Sequence, residues 1–134
     1  MKSISVLLAD DHRNILESVR QLIGKAYDVV DAVEDGQRAV DATLKLDPDI
    51  LVLDISMPLM NGFEAASRLQ KVNCRTHVIF LTIREDEDYI DKAFSVGARG
   101  YVTKRHLAND LPLALHEVIE GRTYISPSLS AAKP

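Results

Sequence analysis

The chain has 134 residues, 46% of them hydrophobic, and a formal net charge of −4. That length fits one domain with one core, and its single cysteine, Cys74, excludes an intrachain disulfide. A negative balance argues against a nucleic-acid-binding face on this chain, no His/Cys cluster has zinc-ligand spacing, and the first apolar run, Val6-Leu7-Leu8-Ala9, stops at Asp10-Asp11, too short for a signal or membrane segment, so a cytoplasmic protein with no membrane partner is expected.

Short apolar runs alternate with amphipathic stretches. The first run, Ile4–Ala9, reads as a strand. A helix follows with Ile15, Val19, Leu22 and Ile23 on one stripe and Gly24 as its terminator. A second strand over Asp28–Val33 leads to a helix over Gly36–Leu46, with Ala39, Val40 and Leu44 inward and Pro48 closing it. Strand three, Ile50–Leu53, precedes a helix that begins near Asn61-Gly62 and carries Phe63, Ala66 and Leu69. Strand four, His77–Leu81, is followed by a helix over Glu87–Val96 that Gly97 ends. Strand five, Gly100–Thr103, precedes a last helix over about Leu107–Glu120, capped by Gly121. Residues 122–134, rich in Ser, Pro and Ala, read as the start of a linker after a domain spanning 1–121. Five strand-helix units predict an α/β fold: a parallel sheet with helices on both faces.

Open parallel sheets bind ligands beyond the carboxyl ends of their strands, so the residues that follow each run carry the chemistry. These are Asp10 and Asp11, Asp54, Thr82 and Lys104. Taken singly, each has a plain structural reading: an Asp after a strand caps a helix, a Thr caps, a Lys is solvated. The joint pattern does not. Two carboxylates about 4 Å apart repel by about 4 kcal/mol at an effective dielectric of 20. Three together either take up protons or hold a divalent cation. An all-oxygen set with few protein ligands suits Mg2+. Lys104 and Thr82 add a cation and a hydroxyl, which outlines a phosphoryl-binding pocket with one carboxylate free to attack.

These residues resemble the receiver domain of bacterial two-component response regulators. The matching pieces are Asp10-Asp11-His12, the run Leu51 to Pro58 around Asp54, Asn61-Gly62, Thr82, and Gly97 to Lys104. The resemblance spans about residues 4–121 and implies a CheY-like, flavodoxin-type (βα)5 fold with five strands in the order 2-1-3-4-5 and five helices. It implies that Asp54 is the phosphoacceptor, supplied by a sensor histidine kinase. It also implies Mg2+ (or Mn2+ in its place) on Asp11, Asp54 and the backbone carbonyl of Ser56, with Asp10 helping to position the ion. Thr82 and Lys104 would hold phosphoryl oxygens, and Tyr101 would swing inward when Thr82 moves. Such a domain is a signalling switch rather than an enzyme, and its output here would be transcription. The segment from Gly97 to Tyr101 and from Leu111 to Pro127 is similar to the NarL/FixJ-type subfamily. That implies a homodimer on phosphorylation and a LuxR-type helix-turn-helix domain, beyond this chain, for DNA.

Two positions depart from the family pattern. Arg105 stands where many receivers have proline with a cis peptide, and Ile83 stands where a small residue usually follows the threonine. A bulky Ile83 at the pocket rim predicts slow hydrolysis of the phosphorylated state. Two rival readings are a receiver that signals without phosphorylation and a haloacid-dehalogenase-like phosphatase. The first usually lacks an acidic residue, the lysine or the phosphoacceptor, and Asp10, Asp11, Asp54 and Lys104 are all present here. The second needs an Asp two residues after the nucleophile, where Ser56 stands.

Overall fold

The computed structural model describes residues 3–130. Five βα units follow in order: β1 (Ser5–Ala9), α1 (Arg13–Ile23), β2 (Asp28–Val33), α2 (Gly36–Leu46), β3 (Ile50–Leu53), α3 (Gly62–Lys71), β4 (His77–Thr82), α4 (Glu87–Ser95), β5 (Gly100–Thr103) and α5 (Leu107–Ile119). A 3-10 turn over Lys104–His106 joins β5 to α5, and the chain goes on into β6 (Tyr124–Ile125) and α6 (Pro127–Ser130). All strands are parallel, in the order β2-β1-β3-β4-β5-β6.

The expectation of five strands and five helices is thus corrected to six and six among the described residues. Residues 124–130, which composition assigns to a linker, lie against the domain. Tyr124 and Ile125 pair with Gly100 and Tyr101, Ser126 N donates to the Tyr101 carbonyl at 2.9 Å, and Leu129 is buried. The physical reason is the open edge of β5, whose carbonyls need donors. The remainder of that expected linker, 131–134, lies outside the described residues.

Strand alternation splits the core into two faces. Leu7, Leu51, Leu53, Phe80 and Tyr101 point toward α2, α3 and α4. Val6, Leu8, Ile50, Val52, Ile79, Leu81 and Val102 point toward α1 and α5. Central strands buried on both faces explain why β1, β3 and β4 read as near-continuous Val, Ile and Leu. Truncating one such residue, Leu51→Ala for example, removes a fully buried side chain at a cost of roughly 2–5 kcal/mol.

Helix ends follow local chemistry. Asp35 caps α2 by accepting from Arg38 N at 2.8 Å, and Asn61 with Glu64 forms a reciprocal capping box on α3. Gly97 and Gly121 have φ of 94° and 85°, the left-handed geometry expected of helix terminators. Gly24 differs: it is right-handed, with φ −63°, and α1 ends through a turn in which the Tyr27 amide donates to the Ile23 carbonyl. Leu44, placed inward by periodicity, is instead 54% exposed.

Candidate functional site

The carboxyl ends of β1, β3, β4 and β5 bring the expected residues to one edge of the sheet. Asp10 and Asp54 leave the adjacent strands β1 and β3, and each is tied by its amide to the next strand over: Asp10 N donates to the Val33 carbonyl of β2 (3.0 Å) and Asp54 N to the Ala9 carbonyl of β1 (2.9 Å). Both are buried. Lys104, at the head of the 3-10 turn, places Nζ 2.7 Å from Asp10 Oδ2 and 3.2 Å from Asp54 Oδ2. It is nearly buried too, so its charge is the main counterweight to two desolvated carboxylates.

The loop after Asp54 is held by two close backbone approaches. A Cβ on Gly62 would lie 2.1 Å from the Asp54 carbonyl oxygen, and one on Gly36 would lie 1.9 Å from that of Met60. Only glycine fits at either place. Gly62 N also donates to the Ile55 carbonyl at 2.7 Å, so residues 55–61 form a tight loop that carries Ser56, exposed, two positions beyond Asp54.

Electrostatics keeps the pocket poised. Burial, then the charge of Asp10, pushes the Asp54 carboxyl above the usual carboxylate range, opposed by Lys104 and by the Ile55 amide that donates to Oδ1 at 2.8 Å. Asp10 Oδ1 accepts from His12 N at 2.9 Å. Asp10 Oδ2 has no aligned hydrogen-bond donor; its contact with Lys104 is electrostatic. Such a buried oxygen retains acceptor capacity for a cation. Asp10, Asp11, His12 and Asp54 each offer one ligand atom, all within 4.8 Å of one another. Three carboxylates in that span fit a hard divalent ion.

His12, part of the Asp10-Asp11-His12 match, is given no role by the sequence; its Nδ1 lies 3.1 Å from both Asp10 Oδ1 and Asp11 Oδ1. Only its place beside the acidic pair could have signalled this.

Thr82 ends β4 and is buried, its Oγ1 accepting from Arg84 N at 3.2 Å. Tyr101 is wholly buried against Phe80. Its hydroxyl donates to the Arg84 carbonyl at 2.8 Å, and burial pushes its ionisation well above the usual tyrosine range. So the ring occupies the inward position here. Ile83 points outward, 73% exposed. The Lys104–Arg105 peptide is trans. Sequence reasoning missed the partner that Arg105 finds: its guanidinium grips Glu85 through Nε (3.0 Å) and Nη2 (2.9 Å).

A doubly wound sheet with carboxylates, a threonine and a lysine at its strand exits is a CheY-like receiver fold. The chain belongs to the response regulator receiver domain family, whose profile matches residues 6–116. It is 34% identical over 129 residues to the transcriptional regulatory protein DegU of Brevibacillus brevis, covering 95% of this chain and 55% of that protein. It is 33% identical over 128 residues to the nitrate/nitrite response regulator protein NarL of Escherichia coli K12, covering 94% and 59%. In structure it is similar to a LuxR-family two-component response regulator from Aurantimonas sp. SI85-9A1, with a TM-score of 0.91 at 30% identity, covering 97% of this chain and 94% of that one. The chain therefore spans somewhat more than half the length of these curated relatives. No described helix is long and apolar enough to cross a membrane.

Proposed function

We propose that this domain is a phosphoacceptor switch in which Asp54 takes a phosphoryl group from the phosphohistidine of a sensor kinase. The observation that supports it is the pocket itself: a buried Asp54 whose Oδ2 faces Lys104 beside an acidic group able to hold a metal ion. An Asp54 oxygen attacks phosphorus, the P–N bond breaks, an acyl-phosphate P–O bond forms, and the departing imidazole takes up a proton. Asp10, Asp11 and Asp54, with the Ser56 carbonyl, would hold Mg2+ or Mn2+. When bound, that ion offsets the charge that builds on the phosphoryl oxygens.

Lys104 then exchanges its carboxylate partner for a phosphoryl oxygen, and the Thr82 hydroxyl donates to a second. To reach it, Thr82 Oγ1 gives up its contact with Arg84 N, which loosens the loop that the Tyr101 hydroxyl grips. New charge-assisted bonds thus bias a two-state loop. The receiver occupies residues 1–121 with the packed tail beyond it, and in the protein as a whole the output is transcription, through a DNA-binding domain outside this chain and a dimer formed on phosphorylation. The domain works in the cytoplasm as a signalling protein rather than an enzyme.

Incubation with acetyl phosphate and Mg2+ followed by intact mass tests this. One phosphoryl adduct is expected on the wild type and none on Asp54→Asn or on metal-free protein. An adduct that survives Asp54→Asn would defeat the assignment.

A further inference from the structure

The loop that follows Thr82 and the turn that carries Lys104 are joined by one carboxylate. Glu85 Oε2 accepts from the Thr103 hydroxyl at 2.8 Å and from Arg105 Nε at 3.0 Å, while Oε1 accepts from Arg105 Nη2 at 2.9 Å. Thr103 and Arg105 are the two residues on either side of Lys104. Glu85 therefore holds the lysine's main chain at both flanks. The grip is bidentate, the geometry in which a guanidinium gains most from a carboxylate.

Thr103 is anchored a second time, its amide donating to Ser126 Oγ at 3.0 Å. Arg105, by contrast, has side-chain hydrogen bonds, among the described residues, only to Glu85 and its neighbour His106. The Glu85 carboxyl is held down to about 2, first by Arg105 and then by Thr103, so it is charged throughout the neutral range.

We propose that Glu85 is a positioning residue: it clasps the Lys104 turn to the Thr82 loop, aims the Lys104 ammonium into the pocket, and makes the two loops move as one. This rests on the phosphoacceptor reading of Asp54. Lys104 needs such a restraint because its long, many-rotamer side chain has to hold Nζ between two carboxylates. With the clasp cut, the turn loses its side-chain tie to the Thr82 loop and keeps the β4 pairing and the Ser126 anchor at Thr103, and the ammonium spends less time in line with Asp54.

The test compares wild type with Glu85→Ala, Glu85→Gln, Arg105→Glu, and the exchange Glu85→Arg/Arg105→Glu, which restores the ion pair in reverse. The rate of phosphoryl uptake from acetyl phosphate at saturating Mg2+ is read by intact mass. Beside it, the rate at which an amine-acetylating reagent modifies Lys104 is read by peptide mass. Uptake slows by about tenfold in Glu85→Ala and Arg105→Glu, since a small misplacement of a catalytic group has effects of that order. Lys104 labels several-fold faster in the same variants, and the exchange recovers most of both effects. High salt moves only the wild type and the exchange toward Glu85→Ala, because the paired groups are partly exposed.

Unchanged Lys104 labelling in Glu85→Ala, or an exchange that recovers nothing, overturns the clasp. If the wild type takes no phosphoryl group, the Asp54 reading fails, while the labelling still decides the clasp.

Discussion

Replacing Lys104 with methionine tests the electrostatics of the pocket. The two side chains are similar in length, so Lys104→Met removes the charge and leaves little cavity. Nζ lies 2.7 Å from Asp10 Oδ2 and 3.2 Å from Asp54 Oδ2, and at an effective dielectric of 20 those contacts are worth about 6 and about 5 kcal/mol before desolvation is charged against them. Desolvation of an ammonium and two carboxylates cancels much of that, and removing one partner of a buried pair typically costs 3–5 kcal/mol. Asp11, 35% exposed, leaves one side of the pocket open to water, so a loss of about 3 kcal/mol at neutral pH without metal is expected.

The loss depends on pH with a definite sign. Asp54 already titrates above its unfolded value because of burial and Asp10. Its favourable contribution is complete below the unfolded value and fades as pH rises through the folded one. Without Lys104 that folded value moves higher still, so the variant's deficit is largest at neutral pH and shrinks in acid. Adding Mg2+ shrinks it too, and Asp54→Asn in the same chain recovers most of it. Urea denaturation at about pH 7.5 and about pH 5, with and without Mg2+, reads all three. A deficit below about 1 kcal/mol that neither pH nor Mg2+ changes would show that Lys104 does not neutralise the pocket.

Leu59 lies in the loop beyond Asp54 with φ 68° and 87% of its surface exposed, so Leu59→Gly relieves a left-handed strain and stabilises the fold by about 0.5–1 kcal/mol in urea melts, after the entropy cost of glycine. Ser126→Ala strips the Thr103 amide of its buried acceptor and costs about 1–3 kcal/mol; faster hydrogen exchange at Thr103 and at the Ser126 amide accompanies it. Ile83→Ala removes the large side chain beside Thr82, and loss of phosphoryl label from Asp54, followed by mass, becomes faster; a slower loss would contradict the rim reading.

The sheet was legible because parallel strands buried on both faces must be apolar throughout, and the strand-exit rule then pointed to the pocket. Asp10, Asp54 and Lys104 meet there within ion-pair distance. Where legibility failed, the cause was tertiary. Leu44 has the right spacing for the core, yet α2 turns it outward. Tyr124-Ile125 is too short for any periodicity to reveal, and only the bare edge of β5 makes it a strand. Pro112 falls inside α5, yet the helix runs through it. Glu85 and Arg105 stand twenty residues apart with opposite charges, and nothing in their spacing announces that they meet.

The central claim is that Asp54 carries the phosphoryl group, and the most direct test is reductive trapping. An acyl phosphate on aspartate is reduced by borohydride to homoserine, so treatment of the phosphorylated chain followed by peptide sequencing marks the modified residue. Homoserine at position 54 alone, and only when Mg2+ and a phosphodonor are present, is the predicted result. A phosphoryl group found instead on His12 or another side chain, with Asp54 unreduced, would contradict it.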